Sequence, residues 1–280
     1  MNFDSNRAWQ EAIAAVKACR SLLLPIAGVF FLVPSVASSF LLGDVQARIF
    51  ENMDNREVLN GIFQAEMGRI LIVSLLSMIA GFVGYLSVLV LLTDRSRPTV
   101  GEAIMRGLRC LPTVLTATVI GYFALLFCIV VISVLGGILS AVLGGAGVVL
   151  IFIAMLALVL TVVARFSMTF PIVVVENTLN PVAALQRSWR LTQGNAFRLL
   201  GFYALLFIAY VVITVLLMVV IGAATGIAGG GEPGEATLIF TSVLAGAIGA
   251  VVGVIASAVL AAVHVQLAGV RDPALDDTFR

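Results

Sequence analysis

The sequence predicts an all-α integral membrane protein, with its 280 residues forming one membrane domain of six transmembrane helices. Two observations predict this class. Hydrophobic residues make up 61% of the chain and charged residues only 11%, whereas soluble domains carry roughly 25% charged residues. The apolar residues also form continuous runs, without the alternation of outer-membrane strands. These runs therefore predict helices.

Six runs are long enough to cross a bilayer, because a hydrocarbon core about 30 Å thick requires ~20 helical residues. The predicted spans are 21–43, 70–92, 111–135, 146–166, 199–222 and 237–263. Pro25 and Pro34 predict a kink in the first span. This first run exceeds the ~7–15 apolar residues of a signal peptide, so we expect it to remain as a membrane anchor.

The segments between the spans differ in charge. Alternate segments, beginning with 1–20, hold 13 of the 16 Lys and Arg residues, and the intervening segments hold 3. The positive-inside rule therefore predicts that both termini are cytoplasmic. We expect the outer segments 44–69 and 226–237 to be solvated loops without chemistry.

Three of the basic segments share a pattern. AAVKACR at 14–20, AIMRGLR at 103–109 and ALQRSWR at 184–190 each begin with alanine and carry basic residues fourth and seventh. GYFALLF at 121–127 also nearly repeats as GFYALLF at 201–207. An internal repeat is therefore predicted. Its three helix-plus-hairpin units are 6–92, 98–166 and 180–265.

The basic segments also have helical periodicity. Residues three and four apart share a helix face, so Arg187 and Arg190 point together while Val182, Leu185 and Trp189 form an apolar stripe. We expect amphipathic helices at 8–20, 100–109 and 181–193, lying in the cytoplasmic interface and leading into the next span through a break.

Residues suited to the ends of these helices accompany them. Asn180 and Pro181 suit the start of the third helix, and Gly194 its end. Thr99 and Glu102 have the spacing of a capping box at the start of the second. Pro112 and Pro25 are the expected breaks after the second and first helices.

The candidate functional residues are the basic side chains of these segments and the tryptophan beside them. Three roles remain open for them: fixing topology and packing the spans, binding an anionic headgroup or substrate, and docking a cytoplasmic or membrane protein. Since the first copy has lysine where the others have arginine, charge rather than guanidinium geometry is shared, which favours headgroup attraction. The candidates are Lys17, Arg20, Arg106, Arg109, Arg165, Arg187, Trp189 and Arg190.

Two further ionisable residues lie near predicted span ends. If the fourth span ends near residue 164, Arg165 reaches the cytoplasmic surface; if the helix continues to Val175, Arg165 is buried in a polar cavity. Glu176 is three helical turns away, too far to neutralise Arg165 directly. For His264 we expect an interfacial position, and a proton-relay role finds little support because no acid lies nearby in sequence.

The composition offers little other chemistry. The net charge of +1 does not suggest nucleic-acid binding, and we find no nucleophile with a base, paired carboxylates, phosphate-binding glycine loop or metal cluster. The three cysteines, Cys19, Cys110 and Cys128, lack metal-ligand spacing and are expected to be free thiols. The sequence therefore predicts no cofactor and no enzymatic activity.

The segment 164–206 carries a resemblance. An arginine before Pro171, the acidic Glu176 and the AL..SW.LT.GN pattern of 184–195 resemble the bacterial family named after the membrane part of glycerophosphodiester phosphodiesterase, and related inner-membrane proteins. The resemblance implies a bacterial inner-membrane location and a role in lipid or envelope metabolism, without the catalytic barrel. We therefore expect a non-enzymatic module that organises lipid or supports a partner protein; the alternative is a permease for a small or lipid-like substrate.

Overall fold

A computed structural model describes residues 3–94, 96, 98–227 and 235–269, with side chains omitted at 142, 217, 218, 220–227 and 235–239. Nearly all of these residues lie in helices, and none of them lies in a strand. The helices are α1 (Ser5–Ala27), a π-helical segment (Gly28–Leu32), α2 (Val33–Glu51), α3 (Arg56–Thr93), α4 (Val100–Leu143), α5 (Gly145–Phe166), α6 (Thr169–Val175), α7 (Pro181–Leu191), α8 (Ala196–Ile227) and α9 (Glu235–Ala268).

Among the described residues, six helical stretches are long and apolar enough to cross a membrane, as the sequence predicts. They are Ser5–Glu51, Arg56–Thr93, Val100–Ala141, Gly145–Val175, Ala196–Leu216 and Phe240–Ala268. The chain thus has the architecture of a multi-pass membrane protein. A π-helical segment lies between Pro25 and Pro34, and the kink predicted there stays a prediction.

The helices are longer than the predicted spans. The prediction of a loop at 44–69 is wrong, because α2 and α3 are joined only by a turn at 52–55. Charged side chains near these helix ends form ion pairs within each helix, Arg48 with Asp44 at 3.4 Å and Arg69 with Glu66 at 3.1 Å, and pairs at this spacing favour continued helix. The other predicted outer loop, 226–237, lies mostly outside the described residues.

The predicted breaks after the first two basic segments are also wrong. α4 continues through Pro112, and the first basic segment continues through Pro25 into the π-helical segment and α2. A proline removes one backbone hydrogen bond, but a strongly apolar helix on both sides is maintained because its backbone must stay hydrogen-bonded in lipid. Only the third segment is a separate helix, where Gly194 adopts a φ of 80° after α7.

The chain divides into two compact units. One consists of Ala15–Leu108 and Ala209–Ser257. In it, α2 and α3 pack as a hairpin, and the π-helical segment contacts α3 closely. A Cβ added at Gly84 would lie 2.6 Å from Phe30 Cβ. Glycine is therefore required where α3 meets the π-helical segment.

The other unit consists of Met1–Ala14, Arg109–Ile208 and Ala258–Arg280. Its α6 follows α5 after a two-residue turn at 167–168, and α7 packs on both helices. Ile172 and Val173 of α6 are fully buried. The helix that carries Arg165 thus ends at Phe166, while the stretch that could cross a membrane runs to Val175. The position of Arg165 relative to the membrane stays a prediction. The predicted three-unit repeat stays a prediction.

Candidate functional site around the third basic helix

The sequence predicts the ends of α7 correctly. Asn180 Oδ1 accepts hydrogen bonds from the backbone N–H groups of Val182, at 3.0 Å, and Ala183, at 3.2 Å. Pro181 occupies the first helical position, where its missing N–H costs nothing. α7 is thus held in place by its own cap at the start and by a glycine turn at its end.

Three faces of α7 have different surroundings. Ala184 and Ser188 are fully buried, and the Ser188 hydroxyl donates to the backbone oxygen of Arg165 at 2.6 Å. Val182 and Trp189, which belong to the predicted apolar stripe, are 48% and 41% exposed. The stripe therefore faces outward, and the small residues form the packing face. Arg187 and Arg190 lie on the remaining, exposed face.

Arg187 belongs to an ion cluster that sequence reasoning missed. Its Nε donates to Glu176 Oε2 at 3.1 Å, and Glu176 Oε1 lies 3.3 Å from His264 Nε2. His264 is only 2% exposed, whereas the Glu176 and Arg187 side chains are 27% and 47% exposed. Glu176 therefore connects α7 to a buried residue of α9.

His264 does have an acidic neighbour in the structure, although no acid lies near it in sequence. Glu176 precedes His264 by 88 positions, so no local pattern predicts the contact. The available signal was that a histidine within an apolar helix needs a polar partner when buried. His264 Nδ1 is buried and has no hydrogen-bond partner among the described groups.

Arg165 contacts Trp189, not Glu176. Its guanidinium carbon lies 4.9 Å from the centroid of the Trp189 ring, within cation–π distance. Its Nη1 donates to the Trp189 backbone oxygen at 3.4 Å, but its buried Nε has no partner. The two sequence-predicted candidates therefore meet, with Arg165 only partly exposed and without an ion pair in the described part of the chain.

In the third basic segment Arg187 is paired with Glu176, whereas Arg190 is exposed and has no ion pair with any described residue. The second basic segment also has one paired and one unpaired arginine. Arg106 pairs with Asp94, which precedes the helix, while Arg109 is exposed and has no ion pair with any described residue. The predicted capping box is present, with Thr99 N–H donating to Glu102 Oε2 at 2.8 Å and Glu102 N–H to Thr99 Oγ1 at 3.4 Å.

Asp94 is held mainly by its neighbour in the turn. The Ser96 backbone N–H donates to Asp94 Oδ1 at 2.8 Å, and this bond is the largest cause of an Asp94 pKa below its usual range. The Ser96 hydroxyl and the Arg106 guanidinium lower the pKa further, against the opposing effect of burial. Asp94 is therefore a carboxylate at neutral pH.

The first basic segment has no counterpart of these acid partners. Lys17 and Arg20 are both exposed, and neither forms an ion pair within the described ranges. Asp4 precedes α1, and its Oδ1 accepts hydrogen bonds from the backbone N–H groups of Asn6 and Arg7 in the first turn. Each of the three segments thus has an exposed arginine, Arg20, Arg109 or Arg190, that is unpaired within the described part of the chain.

An apolar cleft of about 290 Å³ lies between α4, α5 and α6 beside α7. Gly121 and Tyr122 contribute from α4, Val163 and Phe166 from α5, and Leu185 covers it from α7. The Phe166 ring also lies 5.9 Å from the Trp189 ring. The cleft is therefore adjacent to the Arg165–Trp189 pair.

Among the described residues there is no group of three or more His, Cys, Asp or Glu suited to a metal ion. The cysteines are free, as expected. No protein-family model, curated protein or solved structure matches the chain. The assignment of function therefore depends on the geometry of the basic segments.

Proposed function

We propose that the protein is a non-enzymatic module of the bacterial inner membrane that gathers anionic lipid at its cytoplasmic face, organising lipid there or supporting a partner protein. One observation carries the proposal: each basic segment keeps an exposed arginine that forms no ion pair with any described residue. Each such arginine is available to phosphate groups, and each contributes roughly 1 kcal/mol near an anionic leaflet.

Exposed apolar side chains beside the arginines support the membrane-interface position. Trp189, 41% exposed, precedes Arg190, and Leu108, 42% exposed, precedes Arg109. Indole rings settle at the headgroup level, and arginine reaches outward while its stem stays in apolar surroundings. The amphipathic character predicted from sequence is therefore part of this proposal.

The orientation follows from charge and connectivity. Six spans bring both ends of the chain to one side, and 13 of the 16 basic residues belong to segments on that side. The positive-inside rule makes this side cytoplasmic. The inner-membrane location and the link to lipid or envelope metabolism come from the resemblance of 164–206 to the phosphodiesterase membrane-domain family.

The test is a comparison of spin-labelled phosphatidylglycerol with spin-labelled phosphatidylcholine at the protein surface in vesicles. The triple variant Arg20→Gln, Arg109→Gln and Arg190→Gln should lose most of the phosphatidylglycerol preference, by roughly 1 kcal/mol per residue. The matched triple lysine variant should retain it, because charge suffices. Equal lipid preference in wild type and the glutamine variant would refute the proposal.

A second function, proton-coupled transport, has one observation in its favour. His264, which is buried near the end of a span, lies 3.3 Å from the carboxylate of the more exposed Glu176, and ionisable residues within spans often mark proton or ion pathways. The test is proton flux in vesicles under an imposed pH gradient. Wild type that is no more permeable than a His264→Ala variant would exclude this function.

A further inference from the structure

Arg165 is incompletely neutralised. The side chain has one long hydrogen bond, a cation–π contact and a buried Nε–H with no partner. No described acid pairs with it, since Glu176 is engaged by Arg187 and His264. A partly buried cation without a counter-charge is costly, so an anion from outside the chain would stabilise this arrangement.

The neighbouring cleft determines what kind of anion fits. Its lining is mostly apolar, and two of its hydroxyl groups bond within the protein: Thr118 Oγ1 donates to Val114 O, and Ser167 Oγ donates to Ala164 O. The Thr169 hydroxyl is buried in the lining and has no partner among the described groups. Phe166 lines the cleft and contacts Trp189, over which the Arg165 guanidinium lies. A cation and an apolar cleft therefore adjoin each other, which matches a phosphate with an attached acyl chain.

We propose that the cleft between α4, α5 and α6 is a binding site for one anionic phospholipid, whose phosphate contacts Arg165 and one of whose acyl chains lies along Phe166 and Gly121. This proposal rests on the preference for anionic lipid proposed above and adds to it a defined site. Lipid rather than free phosphate is favoured because apolar side chains line most of the cleft.

The reporter is the fluorescence of Trp189 in a background with Trp9→Phe and Arg190→Gln. This leaves Trp189 as the single tryptophan and removes the neighbouring arginine to which general lipid attraction is assigned above. The protein is placed in vesicles of phosphatidylcholine with increasing phosphatidylglycerol, and either lipid carries a brominated acyl chain that quenches nearby indole. We expect the quenching to show that phosphatidylglycerol associates with the site about five-fold more strongly than phosphatidylcholine does. This is the effect expected of one contact with a basic side chain.

Two variants fill the cleft and one serves as a matched control. A Cβ added at Gly121 meets no atom within 4 Å, so Gly121→Leu occupies the cleft without a clash. Gly137 on the same helix is equally open but does not line the cleft, so Gly137→Leu is the control. Val163→Phe, at a residue that is 51% exposed, fills the cleft from α5. It tests the site independently if Gly121→Leu does not fold.

We expect both cleft-filling variants and Arg165→Gln to reduce the five-fold preference to about one, and Gly137→Leu to keep it. Inorganic phosphate at constant ionic strength should not displace the brominated lipid. Preference retained in both cleft-filling variants, or lost on adding phosphate, would overturn the site while leaving the general attraction of anionic lipid intact. Absence of any preference in wild type would overturn both proposals.

Discussion

Glu176 Oε1 lies 3.3 Å from His264 Nε2, although 88 positions separate the two residues. The same carboxylate accepts a hydrogen bond from Arg187 Nε. The three side chains connect the segment after α6, the basic helix α7 and the last helix α9. Glu176 is the shared member, so its charge holds α7 in position.

Replacing Glu176 with glutamine should destabilise the protein. The change keeps the side-chain shape but leaves Arg187 without its counter-charge, and hydrogen bonds to charged groups are worth roughly 1.5–3 kcal/mol. Since the pair is partly exposed, we expect a loss of about 1–2 kcal/mol, measured as a lower thermal unfolding temperature in detergent. Asp54→Asn, at an exposed turn position, is the control and should change stability by less than about 0.5 kcal/mol.

Asp94 gives a pH-dependent prediction. Its folded-state pKa is lowered, so the stability it contributes is present above the unfolded pKa and is lost as the pH falls through the folded one. Asp94→Asn should reduce the free energy of unfolding at pH 7 by roughly 1 kcal/mol or less, because Arg106 is half exposed. The reduction is measured as a lower unfolding temperature. The difference in unfolding temperature between wild type and Asp94→Asn should disappear when the pH falls below the usual pKa range of aspartate. A difference that stays constant down to that pH would contradict the prediction.

The contact between α3 and the π-helical segment makes a third prediction. In Gly84→Ala the added methyl group would lie 2.6 Å from Phe30 Cβ, and such overpacking typically costs about 1–3 kcal/mol. Gly81 lies on the same helix with nothing within 4 Å, so Gly81→Ala should stabilise by up to about 1 kcal/mol. Unfolding temperatures that shift in the same direction for both variants would refute the packing argument.

The sequence predicts the features of the fold that depend on local properties. The six spans follow from apolar runs, and the caps at Asn180 and Thr99 follow from spacing. The helix lengths were underestimated because hydropathy ends where charge begins, whereas helix continues through charged residues such as those at 44–69. The break predicted at Pro112 is absent from α4, because one lost hydrogen bond does not end a helix within apolar sequence.

The candidate site is predicted in part. Arg165, Arg187, Trp189 and Arg190 do gather around α7, but the different situations of Arg187 and Arg190 depend on Glu176 and were not visible in helical spacing. The contact of Glu176 with His264 joins helices that are distant in the chain. Periodicity describes one helix at a time, so it cannot identify such partners.

The proposed orientation can be tested by labelling. In a variant without Cys19, Cys110 and Cys128, a cysteine at Glu51 should react with an impermeant maleimide from outside the cell, and one at Gln193 should react only after permeabilisation. The proposed orientation puts Glu51, the last residue of α2, on the outer side and Gln193, which follows α7, on the inner side. Reaction of both from outside would contradict the orientation.

Native mass spectrometry of the protein released from nanodiscs tests the central claim most directly. The nanodiscs contain equal amounts of phosphatidylglycerol and phosphatidylcholine, so bound lipid reports preference. If the exposed arginines gather anionic lipid, phosphatidylglycerol should predominate among the retained lipids, and the variant with glutamine at Arg20, Arg109 and Arg190 should retain less of it. Equal retention of the two lipids by wild type would contradict the account.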